Sequence, residues 1–277
     1  MREKKVKSTL TWLGTSCMLF FCLSPFFYMV MVSLGKDPAF LSLPKVKYII
    51  TLENYLHILA SGSLHFTAYL RNSLIVSALV AVFTTLVAGL SAYAFSRFRF
   101  PGRVFIPLGV LGISMFPQIS VVGYLFKIMT GLGWINTYNA LIFPYIAWAL
   151  PLALWIVLSY FMQIPLELDR AALVDGASRF QTLYKIIFPL ALPGLFSTAL
   201  LVFIFSFNEF LFALMLTTDQ AARTIPVGIA LFQGLHGEIP WGNIMAASTI
   251  ASIPLVLLTI GFQRYIIQDL TKGALKG

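Results

Sequence analysis

The sequence predicts an all-α, polytopic membrane protein with six transmembrane helices and both termini in the cytoplasm. Three observations carry that expectation. Hydrophobic side chains make up 59% of the 277 residues and charged ones 10%, against about 25% charged in a soluble domain. Mean hydropathy is +0.88, more apolar surface than one soluble core of this size could bury. Six apolar runs, at about 10–34, 71–95, 104–126, 139–161, 193–216 and 243–265, reach the roughly 20 residues that a helix needs to cross the hydrocarbon. With the N-terminus inside, thirteen of the nineteen Lys and Arg residues fall on the inner side, which is the bias that sets orientation.

The first run follows MREKKVK. It exceeds a signal-peptide core of about 7–15 residues and no A-x-A-like site follows closely, so it is expected to be retained. Cys17 and Cys22 lie within it five residues apart, on different helix faces, and are read as small apolar residues rather than a disulfide. The outer segment 35–70 contains TLENYLHIL, suited to a short surface helix. After the second run, SRFRFPGR is a charged inner turn. Pro107, Pro117, Pro144, Pro151, Pro193 and Pro254 fall inside the runs, where neighbouring groups can re-satisfy a broken backbone. They mark either irregular packing or helices that bend as a pathway opens. The outer loop 217–243 is long enough to reach another protein.

Several classes of function are excluded. The net charge of +9 sits beside spans, as orientation requires, and does not point to nucleic acid. His57, His65 and His236 are scattered without metal-ligand spacing. No G-x-x-x-x-G-K-[ST], H-E-x-x-H or G-x-S-x-G occurs, so no catalytic residue, metal or cofactor is assigned to this chain.

The inner segment 162–192 differs from the rest. DRAALVDGASRFQTLYKIIFPLALPG, from Asp169 to Gly194, carries Asp169, Arg170, Asp175, Arg179 and Lys185 between two apolar runs. Pro165 suits a helix start, and Glu167 and Asp169 fall near the positive end of its dipole. Leu166, Leu173 and Ala177 face roughly one way, with Arg170 interrupting them. The helix is expected to stop near Gly176. Ser178 and Gln181 form a capping-box signature for a second helix, whose apolar side is Phe180, Leu183, Tyr184 and Ile187. Pro189 and Pro193 are expected to break the chain where it re-enters the membrane. The Ala171–Ala172 pair and Gly176 leave a surface of little bulk that admits a partner's backbone. Local physics leaves two uses open, docking a partner or resting on headgroups.

This spacing resembles the signature of permease subunits of bacterial ATP-binding-cassette importers: E-A-A, three residues, Gly, nine residues, Ile-x-Leu-Pro. Ala171, Ala172, Gly176, Ile186 and Pro189 fall in register, with Phe188 in place of the Leu. Asp175, Gly176 and Ala177 form the D-G-A frequent in sugar-importing members. Arg170 departs from the family Glu; Asp169, one residue earlier, is a candidate substitute as anchor to the ATPase. QRYIIQDLTKGALKG resembles the tail of the smaller permease of maltose-type systems.

The resemblance implies a subunit that moves a di- or oligosaccharide across a bacterial or archaeal cytoplasmic membrane by alternating access. It implies docking to ATPases through Asp169, Arg170, Ala171, Ala172, Leu173, Asp175, Gly176, Ala177 and Phe180, and a tail contact through Lys272, Gly273, Lys276 and Gly277. The implied partners are a second permease in a heterodimer, two P-loop ATPases that hold ATP and Mg, and an external sugar-binding protein. An ion-coupled carrier is the rival class. It would need more ionisable residues in its spans. Asn208 and Glu209 are the polar intramembrane pair, read either as a lining of the translocation path or as a structural clasp. Tyr145, Trp148 and Trp155 are read as packing residues.

Overall fold

The apolar runs become helices in the computed structural model, which describes residues 2–36, 48–60, 62, 64–232 and 239–274, with backbone alone at 2–6 and 264–274. The chain divides into two compact units, one of Met1–Phe66 with Ile229–Ile253 and one of Thr67–Gly228 with Pro254–Gly277.

In the first unit, α1 (Arg2–Ser33) is apolar on all sides. Its large side chains, among them Trp12, Phe20 and Phe21, are exposed. The end of α1 is tied to the surface helix α2 (Glu53–Ala60). Gly35 and Ile50 form a β-bridge, Asn54 Nδ2 donates to Ser33 O at 2.8 Å, and the Ser33 and Tyr55 hydroxyls lie 2.6 Å apart.

The second unit is a helical bundle. It contains α3 (Phe66–Arg97), α4 (Phe105–Ile113), α5 (Gln118–Gly131), α6 (Tyr138–Gln163), α7 (Leu166–Val174), α8 (Arg179–Thr182), α9 (Phe188–Phe207), α10 (Leu211–Leu216) and α11 (Ile225–Ala230). Helix α12 (Trp241–Ala274) enters it with its C-terminal part. α6 packs along α9 and α4, and α10 packs on α5 and α6. Tyr145, Leu141, Phe161, Ile187 and Phe212 are fully buried there. α6 and α9 approach closely because Gly194 has no side chain: a Cβ there would collide with the Tyr160 ring.

Among the described residues, five helices are long and apolar enough to cross a membrane, and the pair α4–α5 together suffices for a sixth. Three spans differ from expectation. The run 104–126 is two helices bent by 88°. Pro117 supplies no N–H, disfavours helix at Phe116 and is itself extended (φ −68°, ψ 132°).

The fifth span starts earlier than 193. Arg179–Phe207 is one helical stretch of 29 residues, because the π-turn Leu183–Ile187 shifts the hydrogen-bond ladder just ahead of Pro189. That proline lies in the first turn of α9, where its missing N–H costs little. The stretch ends at Asn208, so the predicted run to 216 is interrupted.

The last helix continues to Ala274, since QRYIIQDLTK contains no Pro or Gly to stop it. Lys272 and Gly273 therefore lie on helical backbone, while Lys276 and Gly277 lie outside the described residues.

Candidate functional site

The loop signals read from sequence are realised at atomic detail. Pro165 stands at the N-cap of α7, with Glu167 and Asp169 in the first turn. The helix ends in a Schellman turn: Gly176 N–H donates to Leu173 O at 3.2 Å and Ala177 N–H to Ala172 O at 2.9 Å. Gly176 takes φ +85°, a conformation that costs a residue with a Cβ roughly 1–2 kcal/mol. Ser178 Oγ then accepts from Gln181 N–H at 3.2 Å, while Ser178 N–H donates to Gln181 Oε1 at 2.7 Å. The capping box thus starts the long helix that becomes the fifth span.

The faces of α7 are distributed differently from the sequence expectation. Asp169 and Ala172 are buried, Leu173 and Ala177 are half-buried, and Arg170, Ala171, Val174, Asp175 and Gly176 are exposed. Val174 is 87% exposed and Phe180 71%. Of the small pair, Ala171 alone is accessible. On the second helix, Leu183 and Ile187 are buried while Phe180 and Tyr184 face out.

Asp169 is not a free anchor for a partner. Its Oδ2 pairs with Arg97 Nε at 3.0 Å, the two side chains being 5% and 3% exposed. Arg97 Nη2 also donates to Ile164 O at 3.1 Å. Tyr93 O–H reaches Asp169 Oδ1 and Arg179 O, both at 3.5 Å. The Arg179 guanidinium lies 5.7 Å from the centroid of Phe98. The end of α3, the helix α7 and the start of the fifth span are thereby fastened together. Sequence reasoning counted Arg97 as an orienting charge and missed this role, because its partner lies 72 positions away.

Asn208 and Glu209 occupy the break between α9 and α10. Glu209 is 7% exposed, and its carboxylate accepts from Phe212 N–H at 2.8 Å and Ala213 N–H at 3.1 Å. It caps α10 from within its own chain segment, where the helix dipole favours negative charge. Asn208 Nδ2 donates to Ile204 O at 2.8 Å. Both residues border a cleft of about 500 Å³ that Gln118 also lines.

The segment that follows α10 is tied down at Thr218, Ala221 and Arg223. Asn136 Oδ1 accepts from Thr218 N–H at 2.6 Å. Asn72 Nδ2 donates to Ala221 O at 3.1 Å and Arg223 O at 3.0 Å. The tip, 233–238 with His236, lies outside the described residues. Tyr145 is buried and Trp148 packs edge-on to Phe212 at 5.7 Å, as packing residues should.

The chain is thus a membrane protein of several spans, with the short helix α7 fastened to the end of α3 by a buried ion pair. The chain belongs to the family of binding-protein-dependent transport system inner membrane components, whose model matches residues 4–272. It is 60% identical, over the whole of both chains, to the trehalose/maltose transport system permease protein MalG of Thermococcus litoralis. It is 42% identical to the trehalose transport system permease protein SugB of Mycobacterium tuberculosis, with 82% of this chain and 83% of the relative covered. A solved bacterial ABC transporter that imports the acidic polysaccharide alginate contains a chain with the same fold. The TM-score is 0.77 at 21% identity, with 96% of this chain and 98% of that one covered.

Proposed function

We propose that this chain is one of two membrane-spanning permease subunits of an ATP-driven importer for an uncharged disaccharide of the trehalose or maltose type. The relation to MalG, 60% identical along the full length, carries the substrate class. Both termini and the 162–192 loop face the cytoplasm. There the exposed Arg170, Ala171, Val174, Asp175, Gly176 and Phe180, flanked by the half-buried Leu173 and Ala177, seat against an ATPase. Asp169 and Ala172 support that surface from behind.

ATP and Mg belong to the two ATPases; this chain contributes motion. Displacement of α7 pulls on the end of α3 through Asp169–Arg97 and on the capped start of the fifth span. That span, 29 residues long, transmits the displacement along about 40 Å of helix, at 1.5 Å per residue, to the break at Asn208. The exposed apolar surface of α1 is suited to burial against the second permease and lipid. Lys272, Gly273, Lys276 and Gly277 of the C-terminal segment contact the ATPases, and the outer segment meets the binding protein. An ion-coupled mechanism is not supported, because the carboxylate of Glu209 is held by two backbone N–H groups.

Replacing Gly176 by Trp tests the docking surface. A Cβ at Gly176 meets nothing within 4 Å, so the cost inside the chain is confined to the left-handed backbone. The variant is expected to fold and insert but to lose the P-loop ATPase from a detergent pull-down in native cells. Wild-type recovery of the ATPase with the Gly176→Trp chain would contradict the reading.

A further inference from the structure

Two membrane helices of the second unit are discontinuous, and both breaks open on one cleft. Gln118, the first residue of α5 after the 88° bend, and Asn208, the last residue before the gap in the fifth span, line the same space of about 500 Å³. Irregular backbone at membrane depth persists where it is buried in protein or borders a water-filled cavity. Discontinuous helices are also where transporters place polar groups against their substrates.

The chemistry of the lining is specific. Gln118 is half-buried, and its side-chain amide makes no hydrogen bond among the described residues. Asn208 spends its amide N–H₂ on Ile204 O and leaves its carbonyl oxygen available. Phe205 and Phe210 add aromatic surface, and Glu209 is the sole ionisable lining residue. Its two oxygens are already engaged by Phe212 and Ala213 N–H groups. The cleft therefore offers amide donors and acceptors with apolar faces and no cationic side chain. That combination matches hydroxyls and the C–H faces of a neutral sugar, and it gives an acidic sugar no counter-charge.

We infer that this cleft is a sugar subsite on the translocation path contributed by this subunit, with Gln118 and Asn208 as its specificity-determining side chains. The inference rests on the importer reading above. Glu209 acts as a positioning residue, fixing the break that presents Asn208. Gln118 is the cleaner probe, since truncating it removes no side-chain hydrogen bond among the described residues.

The test uses the complete transporter in proteoliposomes: both permeases, the ATPases and the binding protein, supplied with radiolabelled trehalose or maltose. Gln118→Ala and Asn208→Ala are expected to lower uptake about 2- to 10-fold, the effect of losing one neutral hydrogen bond of 0.5–1.5 kcal/mol. They are also expected to change the trehalose-to-maltose uptake ratio, while ATP hydrolysis stimulated by loaded binding protein persists. Unchanged uptake and an unchanged ratio in both variants would overturn the subsite. So would a parallel fall of uptake and ATP hydrolysis at constant ratio, which is the mark of a structural role. Absence of ATP-dependent uptake by the wild type would instead overturn the importer reading beneath it.

Discussion

Asp169→Ala is expected to destabilise the bundle by about 3–5 kcal/mol, the effect of removing one partner from a buried ion pair. The alanine would leave Arg97, with a side chain 3% exposed, without its counter-charge, and would take an acceptor from Tyr93 O–H. The measurement is the midpoint of thermal unfolding in detergent, followed by fluorescence size exclusion. The double variant Arg97→Met/Asp169→Leu separates stability from coupling. Replacing both charges by apolar groups of similar size is often neutral or stabilising, so this variant is expected to recover the wild-type midpoint. If the pair transmits motion, it will nevertheless transport poorly for the ATP it hydrolyses. Wild-type stability of Asp169→Ala would contradict the buried geometry, and efficient transport by the double variant would contradict the lever.

The second large effect is expected at the break in the fifth span. Glu209→Ala strands the Phe212 and Ala213 N–H groups in a low-dielectric setting. A buried donor without an acceptor costs about 1–3 kcal/mol, so the two together amount to about 2–6 kcal/mol. α10 has six residues and cannot hold itself together without that cap, since short helices lack cooperative stability. Glu209→Gln keeps one carbonyl oxygen and is expected to restore roughly half of the lost stability. The same melting measurement decides the matter. An alanine variant within about 0.5 kcal/mol of wild type, the size of an ordinary surface substitution, would show that the carboxylate is not a cap.

The helix–turn–helix of the 162–192 loop was legible in sequence because its instructions are local. Pro165 starts a helix, Gly176 permits the left-handed turn that ends it, and Ser178 with Gln181 starts the next; each signal acts within four residues. The spans were legible for the same reason, since apolar length is a local property.

What could not be read was tertiary. Asp169 looked like an exposed anchor until Arg97, far away in sequence, came to lie against it. Ala172 looked paired with Ala171, but on a helix adjacent residues point about 100° apart, so one is buried when the other faces out. The fifth span read as starting only after two prolines, yet a π-turn re-registers the ladder ahead of Pro189 and the helix begins at Arg179. Glu209 had a signal that could have been used: an acidic residue placed just before a short apolar helix, where a cap belongs. The bend at Pro117 was signalled equally by its proline, but apolar length concealed it.

The central claim is that the exposed face of α7 sits against an ATPase and carries its motion inward. A cysteine placed at Val174, 87% exposed in the isolated chain, tests it most directly. Cys17 and Cys22 are both free and exposed, so they are first replaced by serine. A benzophenone maleimide attached to Val174→Cys in membranes of native cells, whose photoexcited ketone inserts into a neighbouring C–H bond, is then expected to join it to a P-loop ATPase. The yield should change when nucleotide is trapped. If Val174→Cys transports normally yet forms no adduct with an ATPase in any nucleotide state, the helix is not the docking element and the coupling account is wrong.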